Sequence, residues 1–519
     1  MSEPFSYDAV TYPSMVFPHI RPDQIGAISI LHGVTPDKIE DCRVLELGCG
    51  DGANLLSIAY TMPDSFCVGV DLSAARIDEA NEYAKTINVR NVEFHHLDMM
   101  EYVPEKLGKF DFIIAHGVYS WVPQPVREKL LWIYQQSLKP NGIGFISYNT
   151  YPGWHIREIA RDAMRFQTEF INSPLEKVGN GLRFVEFLTE ASKPDTLYQS
   201  LLTKQQGYLI EKLPESVFHD DLAKVNQPFY FHQFVENVEK AGLKFLSELE
   251  PMSFFIDDLP SFARQALDNV WDDPTRREQY LDFIRGRFFR SSLVCRNSAQ
   301  PSYRPLPESL DLLYFSSCSR AISRDASLTD NSEVAFSAPK DSQFETDHPL
   351  IKSLLGLLSS RWPERISFSS IRDLLKVESD FERTVDQEAK LGLLQNALVR
   401  LINANIVEPR CFCPQISLKA SEHPKVSDFA RWQAGRDFSF RESLGGVTNM
   451  HGQEVKIENS LLREMIILSD GTRDRSELEA SAREWIEVKP QEQDAFKSTL
   501  TNAIDANLDS LARSALLIS

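Results

Sequence analysis

Between Arg43 and Asn149, short and mainly apolar runs alternate with longer stretches in which apolar residues recur every three or four positions. In order they read RVLELG, GANLLSIAYTM, CVGVD, ARIDEANEYAKTI, VEFHHLD, FDFIIAHG, VREKLLWIYQQSL and GIGFISYN. An unbroken apolar run suits a strand buried on both faces, and a period near 3.6 suits a helix packed on it by one side. Their strict alternation predicts a doubly wound α/β domain built on a parallel sheet.

Past Trp154 the pattern changes. HIREIARDAMRFQTEF and GNGLRFVEFLTEAS read as helices with no strand between them, and QPFYFHQFVENVEKAG reads as an aromatic-rich helix stopped by Gly242. The stretch 298–348 is rich in Ser, Pro and Asp and predicts a loop or irregular strands. HPLIKSLLGLLSSRWPERISFSSIRDLLKV and QEAKLGLLQNALVRLINANIVEPR then predict two or three helices and a closing strand, a winged-helix-like order, with further helices after Lys419. The pattern divides the chain into 1–165, a helical connector at 166–204, 205–300, 301–415 and 416–519.

A chain of 519 residues exceeds what one hydrophobic core serves, in keeping with several domains. Its formal charge of -19 repels phosphate-rich ligands, and the winged-helix-like part has no clustered basic helix, so nucleic acid is not the expected partner. A basic, lysine-presenting partner suits the field, although the acidity also reads simply as solubility. Seven scattered cysteines offer neither a disulfide framework nor a zinc site, and Cys411 and Cys413 read as two half-buried strand thiols. The adjacent His219, Asp220 and Asp221 read as a helix cap or surface cluster, so no metal is expected. The N-terminus has no signal-peptide pattern and no apolar run approaches the roughly 20 residues that cross a bilayer, so a cytoplasmic protein without membrane insertion is expected.

The candidate chemistry begins in VLELGCGDGANLL, residues 44–56. Gly48, Gly50 and Gly52 remove side chains where a strand turns into a helix, so backbone amides can approach a ligand. Glu46 and Asp51 place two negative charges there, which repel a pyrophosphate but suit a sulfonium that carries an ammonium group. Asp71 ends CVGVD about twenty residues on, where an acid chelates ribose hydroxyls, and Leu72 follows it. Asp98 closes VEFHHLDMM as an acceptor for an adenine amino group, with Met99 behind it. FDFIIAHGVYSWV carries His116, Gly117, Tyr119 and Trp121 to the same edge.

Acids after the second and third strands, with an aromatic loop after the fourth, resemble the pattern of class I methyltransferases. HGVYSWVP at 116–123 and SYNTYPGWHIRE at 147–158 resemble a bacterial family that joins such a domain to a regulatory domain. FHDDLAKVNQPFYFHQFVENVEKAGLKFLSE and QYLDFIRGRFFRSSLVCR resemble that second domain. The tail, with SLGGVTNMHGQEV and LSDGTRDRSELEA, is similar to rickettsial-type protein lysine methyltransferases that modify an outer-membrane surface protein.

The resemblance implies a Rossmann-like class I methyltransferase domain followed by mainly helical and α+β accessory domains. It implies S-adenosyl-L-methionine as cofactor and transfer of its methyl group to a lysine amine of a protein substrate. Cofactor contacts fall on Glu46, Gly48, Gly50, Asp51, Asp71, Leu72, Asp98, Met99, His116 and Gly117, with Tyr12 of the leader as a cover. His116 is expected to act through its backbone, or to be a structural imidazole. Tyr119 and Trp121 are expected to line the methyl-transfer channel, and Tyr148 and Asn149 to orient the amine, with plain packing as the alternative for each. The connector after Trp154 is a candidate homodimer surface. Two other readings stay open: small-molecule methylation under lid domains, and a cofactor-binding module without catalysis.

Overall fold

The computed structural model describes residues 10–12, 15–250, 256, 259–270, 272–338, 342–378, 387–436, 445–488 and 500–518. A leader helix, α1 (Pro22–Leu31), precedes the alternating region. There β1 (Arg43–Leu47), α2 (Ala53–Thr61), β2 (Phe66–Asp71), α3 (Ala74–Thr86) and β3 (Val92–His96) are followed by β4 (Phe110–Ala115), α4 (Gln124–Ser137) and β5 (Leu138–Asn149). These five strands pair in parallel, as their apolar runs require. Every residue of β4 is buried.

The connector holds α5 (Trp154–Gln167), α6 (Pro174–Ala191) and α7 (Leu197–Ile210), packed around Met164, Val178, Val185 and Leu209. Then α8 (Phe231–Lys240) leads into β6 (Leu243–Glu248), and α9 (Pro274–Arg285) into β7 (Phe289–Arg296). The hydrophobic pattern sets 205–300 apart, yet β6 and β7 complete the first sheet in the order β3-β2-β1-β4-β5-β7-β6. β7 runs antiparallel to both of its neighbours. The Rossmann-like sheet therefore extends across the boundary placed at 165.

Arg290 enables this insertion of a polar strand. It is fully buried on β7, with Nη1 2.8 Å from Glu248 Oε1 and Nη2 2.8 Å from Asp282 Oδ1 and 3.2 Å from Glu278 Oε2. Its guanidinium stacks 4.0 Å from the Phe231 ring of α8. One cation thus ties β6, β7, α8 and α9.

Beyond the sheet, β8 (Tyr314–Ser316), α10 (Pro349–Arg361), β9 (Ile366–Ser367), α11 (Phe368–Glu378), α12 (Gln387–Asn403) and β10 (Glu408–Arg410) supply the expected helices and closing strand. The three strands form one small sheet with β8 in the middle. The expected strand position of Cys411 and Cys413 is not seen: both follow β10, the first half-buried and the second exposed. All seven cysteines are free. The tail has its own core, in which Leu461, Met465, Leu478, Ile504 and Leu511 meet from three helices.

Every residue of α1 is buried, because it lies between β5 and β6 on one side and β10 on the other. Asp23 at its start meets Arg21 Nε at 3.2 Å and Arg365 Nη1 at 2.8 Å, with Arg410 Nε at 4.0 Å. This three-arginine clasp holds the leader to the middle region, and the two share a continuous apolar core.

Candidate functional site

The loops after β1 to β5 open on one edge of the sheet, where open α/β folds bind ligands. At the first, Gly48, Gly50 and Gly52 all have positive φ, between 55° and 75°. A Cβ at Gly52 would stand 2.5 Å from the Phe94 ring, whereas one at Gly50 would meet nothing within 4 Å. Gly52 is therefore demanded by packing, and Gly50 leaves bare backbone facing open space.

Two carboxylates frame this loop. Asp71 Oδ2 accepts from Gly50 N–H at 2.8 Å and Oδ1 from Ser73 N–H at 2.9 Å, so the acid after β2 fixes the turn after β1. Glu46, 4% exposed, accepts from Asn54 Nδ2 at 2.9 Å through Oε1, while its buried Oε2 has no partner. Burial, with smaller contributions from Asp51 and Asp71, lifts its pKa to about 8. Asp51 Oδ1 accepts from Ala53 N–H at 3.2 Å at the start of α2.

Farther along the edge, Asp98 is exposed and accepts from Met100 N–H at 2.8 Å. Leu72 is exposed and Met99 half-buried, leaving two apolar side chains uncovered after β2 and β3.

After β4, Gly117 N–H donates to Ser147 Oγ at 2.8 Å, and the same hydroxyl shares a 3.0 Å hydrogen bond with His116 Nδ1. The leader crosses here. Phe17 lies 4.2 Å from the His116 ring and His19 lies 5.8 Å from it. Burial draws both imidazoles down, His19 to about 4 and His116 to about 3, so both are neutral at physiological pH. Asn54 Oδ1 accepts from Phe17 N–H at 3.1 Å, so one amide joins Glu46 to the leader. Phe17, His19, Asn54 and Ser147 are not among the expected site residues. Asn54 alone left a hint, as a buried polar residue opening an otherwise apolar helix.

Tyr12 is placed against the turn at 217–221, with its hydroxyl 3.4 Å from Asp220 Oδ1 and its ring 5.7 Å from His219. Lys212 Nζ bridges Asp220 at 3.1 Å and Asp221 at 2.8 Å, so these acids anchor the connector and leader. Among the described residues, no group of three or more His, Cys, Asp or Glu could hold a metal ion.

The aromatic pairs divide. Tyr119 and Tyr148 are each 1% exposed and lie in the core beneath α8, where Tyr148 stacks 4.1 Å from Phe234 and Tyr119 stands 5.6 Å from it. Their hydroxyls are engaged, with Asn237 Nδ2 at 3.3 Å and Ser292 Oγ at 3.3 Å. The structure gives both the packing alternative instead of a channel wall, because α8 covers the face of the sheet from which they project. Trp121 and Asn149 stay near the rim. Trp121 is half-buried, 6.4 Å edge-on to Trp154, and Asn149 Nδ2 donates to Asn226 Oδ1 at 2.9 Å. Nearby Trp154 Nε1 and Asn226 Nδ2 are buried donors without a partner.

Residues 44–142 match the family described as "Methyltransferase domain", and residues 214–296 the family described as "Predicted methyltransferase regulatory domain". Uncharacterized protein RP789 of Rickettsia prowazekii is 30% identical over 406 residues, covering 77% of this chain and 73% of its own. Uncharacterized protein RP028 of the same organism is 37% identical over 242 residues, 46% of this chain and 96% of its own. The solved structure of PKMT2 from Rickettsia typhi in complex with AdoHcy is 27% identical, with a TM-score of 0.86 over 98% of this chain and 100% of that one. AdoHcy is what S-adenosylmethionine becomes on losing its methyl group. The chain belongs to the family of RP789, bacterial class I methyltransferases that join a methyltransferase domain to a methyltransferase regulatory domain and draw their methyl group from S-adenosylmethionine.

Proposed function

We propose that the protein transfers methyl groups from S-adenosylmethionine to lysine side chains of a protein substrate. The supporting observation is the reach of each likeness. A ubiquinone biosynthesis O-methyltransferase of Acinetobacter baylyi is similar over 20% of this chain, whereas PKMT2 is similar through every accessory region. The negative net charge adds an attraction for lysine-bearing surfaces.

The residues present fit the cofactor. Glu46 Oε2 is a buried acceptor that the ammonium of the methionine end would satisfy, and bare Gly50 leaves room for close approach. Gly48, His116 and Gly117 would offer backbone to the methionine portion, and Asp51 closes the loop. Asp71 would take the ribose, Leu72 and Met99 the adenine faces, and Asp98 its amino group. When bound, the cofactor supplies an electrophilic methyl group.

The acceptor lysine must arrive neutral, against a reference pKa of about 10.4, and desolvation beside Trp121 lowers that cost. Asn149 would hold the amine in line through its side-chain amide. Incubation with labelled S-adenosylmethionine and fractionated bacterial lysate tests the reading: label should enter protein, with mass spectrometry placing it on lysine. Asp71→Ala should abolish it, having lost the carboxylate that fixes the Gly50 turn. Label confined to small molecules would refute lysine transfer.

A homodimer through the connector is part of this proposal. Phe166, Phe170, Leu175, Phe187, Leu197 and Ile210 are all exposed on α5 to α7 and the loops between them, Phe170 at 90%. So large an apolar display is a mark of an interface. Light scattering should give twice the chain mass for the parent and the chain mass for a Phe170→Asp, Leu175→Asp double variant. A parent that is monomeric at micromolar concentration would rule the dimer out.

A further inference from the structure

Arg157 lies on the first turn of α5, half-buried, and its guanidinium is held against three rings. The guanidinium carbon is 4.2 Å from the centre of Tyr208, 4.5 Å from that of Phe288 and 5.2 Å from that of Trp154. Close packing brings these separate segments together. Gly153 N–H donates to Arg287 O at 2.9 Å, and a Cβ at Gly153 would stand 2.3 Å from Gly286 O, so the start of α5 is pressed onto the turn that enters β7. Phe288 O accepts from Thr150 N–H at 3.0 Å, in the loop after β5. Since Trp154 also meets Trp121 edge-on at 6.4 Å, Arg157 is one ring removed from the side chain beside which the acceptor lysine is placed.

Contact with rings occupies the faces of a guanidinium and leaves its N–H edge free. Among the described residues Arg157 has no hydrogen-bond or ion-pair partner, and none of its nitrogens is buried. The acids around it are engaged elsewhere or out of reach. Asp221 holds Lys212 Nζ at 2.8 Å, Glu158 takes the Tyr151 hydroxyl at 2.7 Å and lies 3.1 Å from His155 Nδ1, and Asp162 forms no ion pair with Arg157. Arg161, one turn on, differs: its Nη1 donates to Asp221 O at 2.6 Å. The rings that carry Arg157 stay in water, Tyr208 at 36% and Phe288 at 46% exposure. A guanidinium fixed by three rings, with its edge unspent and facing solvent, is pre-organised for a planar two-oxygen acceptor. The net charge of -19 favours a singly charged carboxylate over a phosphate dianion as that acceptor.

We infer that Arg157 receives the side-chain carboxylate of an aspartate or glutamate in the protein substrate, within about four residues of the methylated lysine on an extended chain rising ~3.3 Å per residue. The inference rests on the protein-lysine reading above. It makes Arg157 a specificity residue: the overall negative field draws lysine-bearing surfaces, and this one fork selects among their lysines by an acidic neighbour.

The test gives labelled S-adenosylmethionine and bacterial lysate to the full-length parent and to Arg157→Met, Arg157→Lys and Arg157→Glu, and reads by mass spectrometry the residues flanking each labelled lysine. In the parent, Asp and Glu should be enriched at least about twofold within those four positions, relative to all lysines of the lysate proteins. Arg157→Met keeps a stem on the rings but no fork, so protein labelling should slow about tenfold and the enrichment should vanish, with melting temperature and AdoHcy affinity unchanged. Arg157→Lys keeps the charge without the fork and should retain part of the enrichment. Arg157→Glu should turn the preference toward Lys and Arg flanks, which lost packing would not do. Parent sites without acidic enrichment, or the same flanking pattern in the parent and Arg157→Glu, overturn the assignment while leaving lysine transfer standing. A halved mass of Arg157→Met by light scattering also overturns it, by giving the ring platform to the dimer interface. Label that the parent passes only to small molecules overturns both readings.

Discussion

Replacing Arg290 by methionine is expected to lower folding stability by about 3–5 kcal/mol, enough to unfold much of the sheet's β6–β7 edge. The cost lies less in the lost attraction than in what remains: Glu248, Glu278 and Asp282, each at most 2% exposed, would keep their burial and lose their principal cation. Arg287 would still reach Asp282 at 3.3 Å, but Glu278 only at 3.9 Å. Glu248 would be left with the Ser291 N–H at 3.1 Å and the Ser292 hydroxyl.

The pH dependence identifies this cause. Burial already lifts Asp282 to about 6, so its proton is bound more tightly folded than unfolded, and the stability this contributes is lost as pH rises from 3.8 toward 6. Without Arg290 the Asp282 carboxyl shifts higher still, and its protonation relieves the buried charge. The variant should regain part of its lost stability between pH 7.5 and pH 5.5, by urea denaturation followed by circular dichroism. An equal deficit at both pH values would mean lost packing against Phe231 instead.

The second large effect concerns the cofactor. With its pKa near 8, Glu46 is mostly protonated at neutral pH in the free enzyme, and pairing with an ammonium requires it to ionise. AdoHcy binding should therefore release a proton and tighten as pH climbs from 6 toward 8, by up to about tenfold per unit. It should weaken again at higher pH, once the ligand's own amine deprotonates. Glu46→Gln keeps the bond to Asn54 but not the charge, so affinity at pH 8 should fall roughly 10- to 100-fold and the acid-side slope should vanish.

The same group makes a prediction without ligand. Its folded pKa exceeds the ordinary value of 4.5, so the parent loses stability as pH rises from there to about 8, and Glu46→Gln should not share that loss. Calorimetry in two buffers of different ionisation enthalpy counts the proton. A parent whose affinity is flat with pH would remove Glu46 from the ammonium site.

The legible parts of the chain were those where one physical demand governs each position. Mainly apolar β1, β2 and β4 announce strands buried on both faces, and Gly48, Gly50 and Gly52 announce a turn in the left-handed region that favours glycine. Opposing demands hid the remainder. β7 carries Arg290 and two serines that look like surface until Glu248 and α9 are in place to satisfy them. α1 is covered on all sides, so it has no polar face to give it a period. Tyr119 and Tyr148 mislead for the converse reason, since an aromatic residue at the end of a strand serves a substrate or a covering helix equally well. Asn54 and Phe17 become meaningful only through a contact across 37 residues.

The clasp at Asp23 has a consequence for how the enzyme is made. Its partner Arg365 lies 342 residues downstream, and Arg410 farther still. At ordinary translation speeds the ribosome needs on the order of half a minute to synthesise that interval. The leader can meet Asn54 and β5 as soon as those segments emerge, whereas the arginines that clamp Asp23 from the middle region arrive only after Arg365 and Arg410 are made.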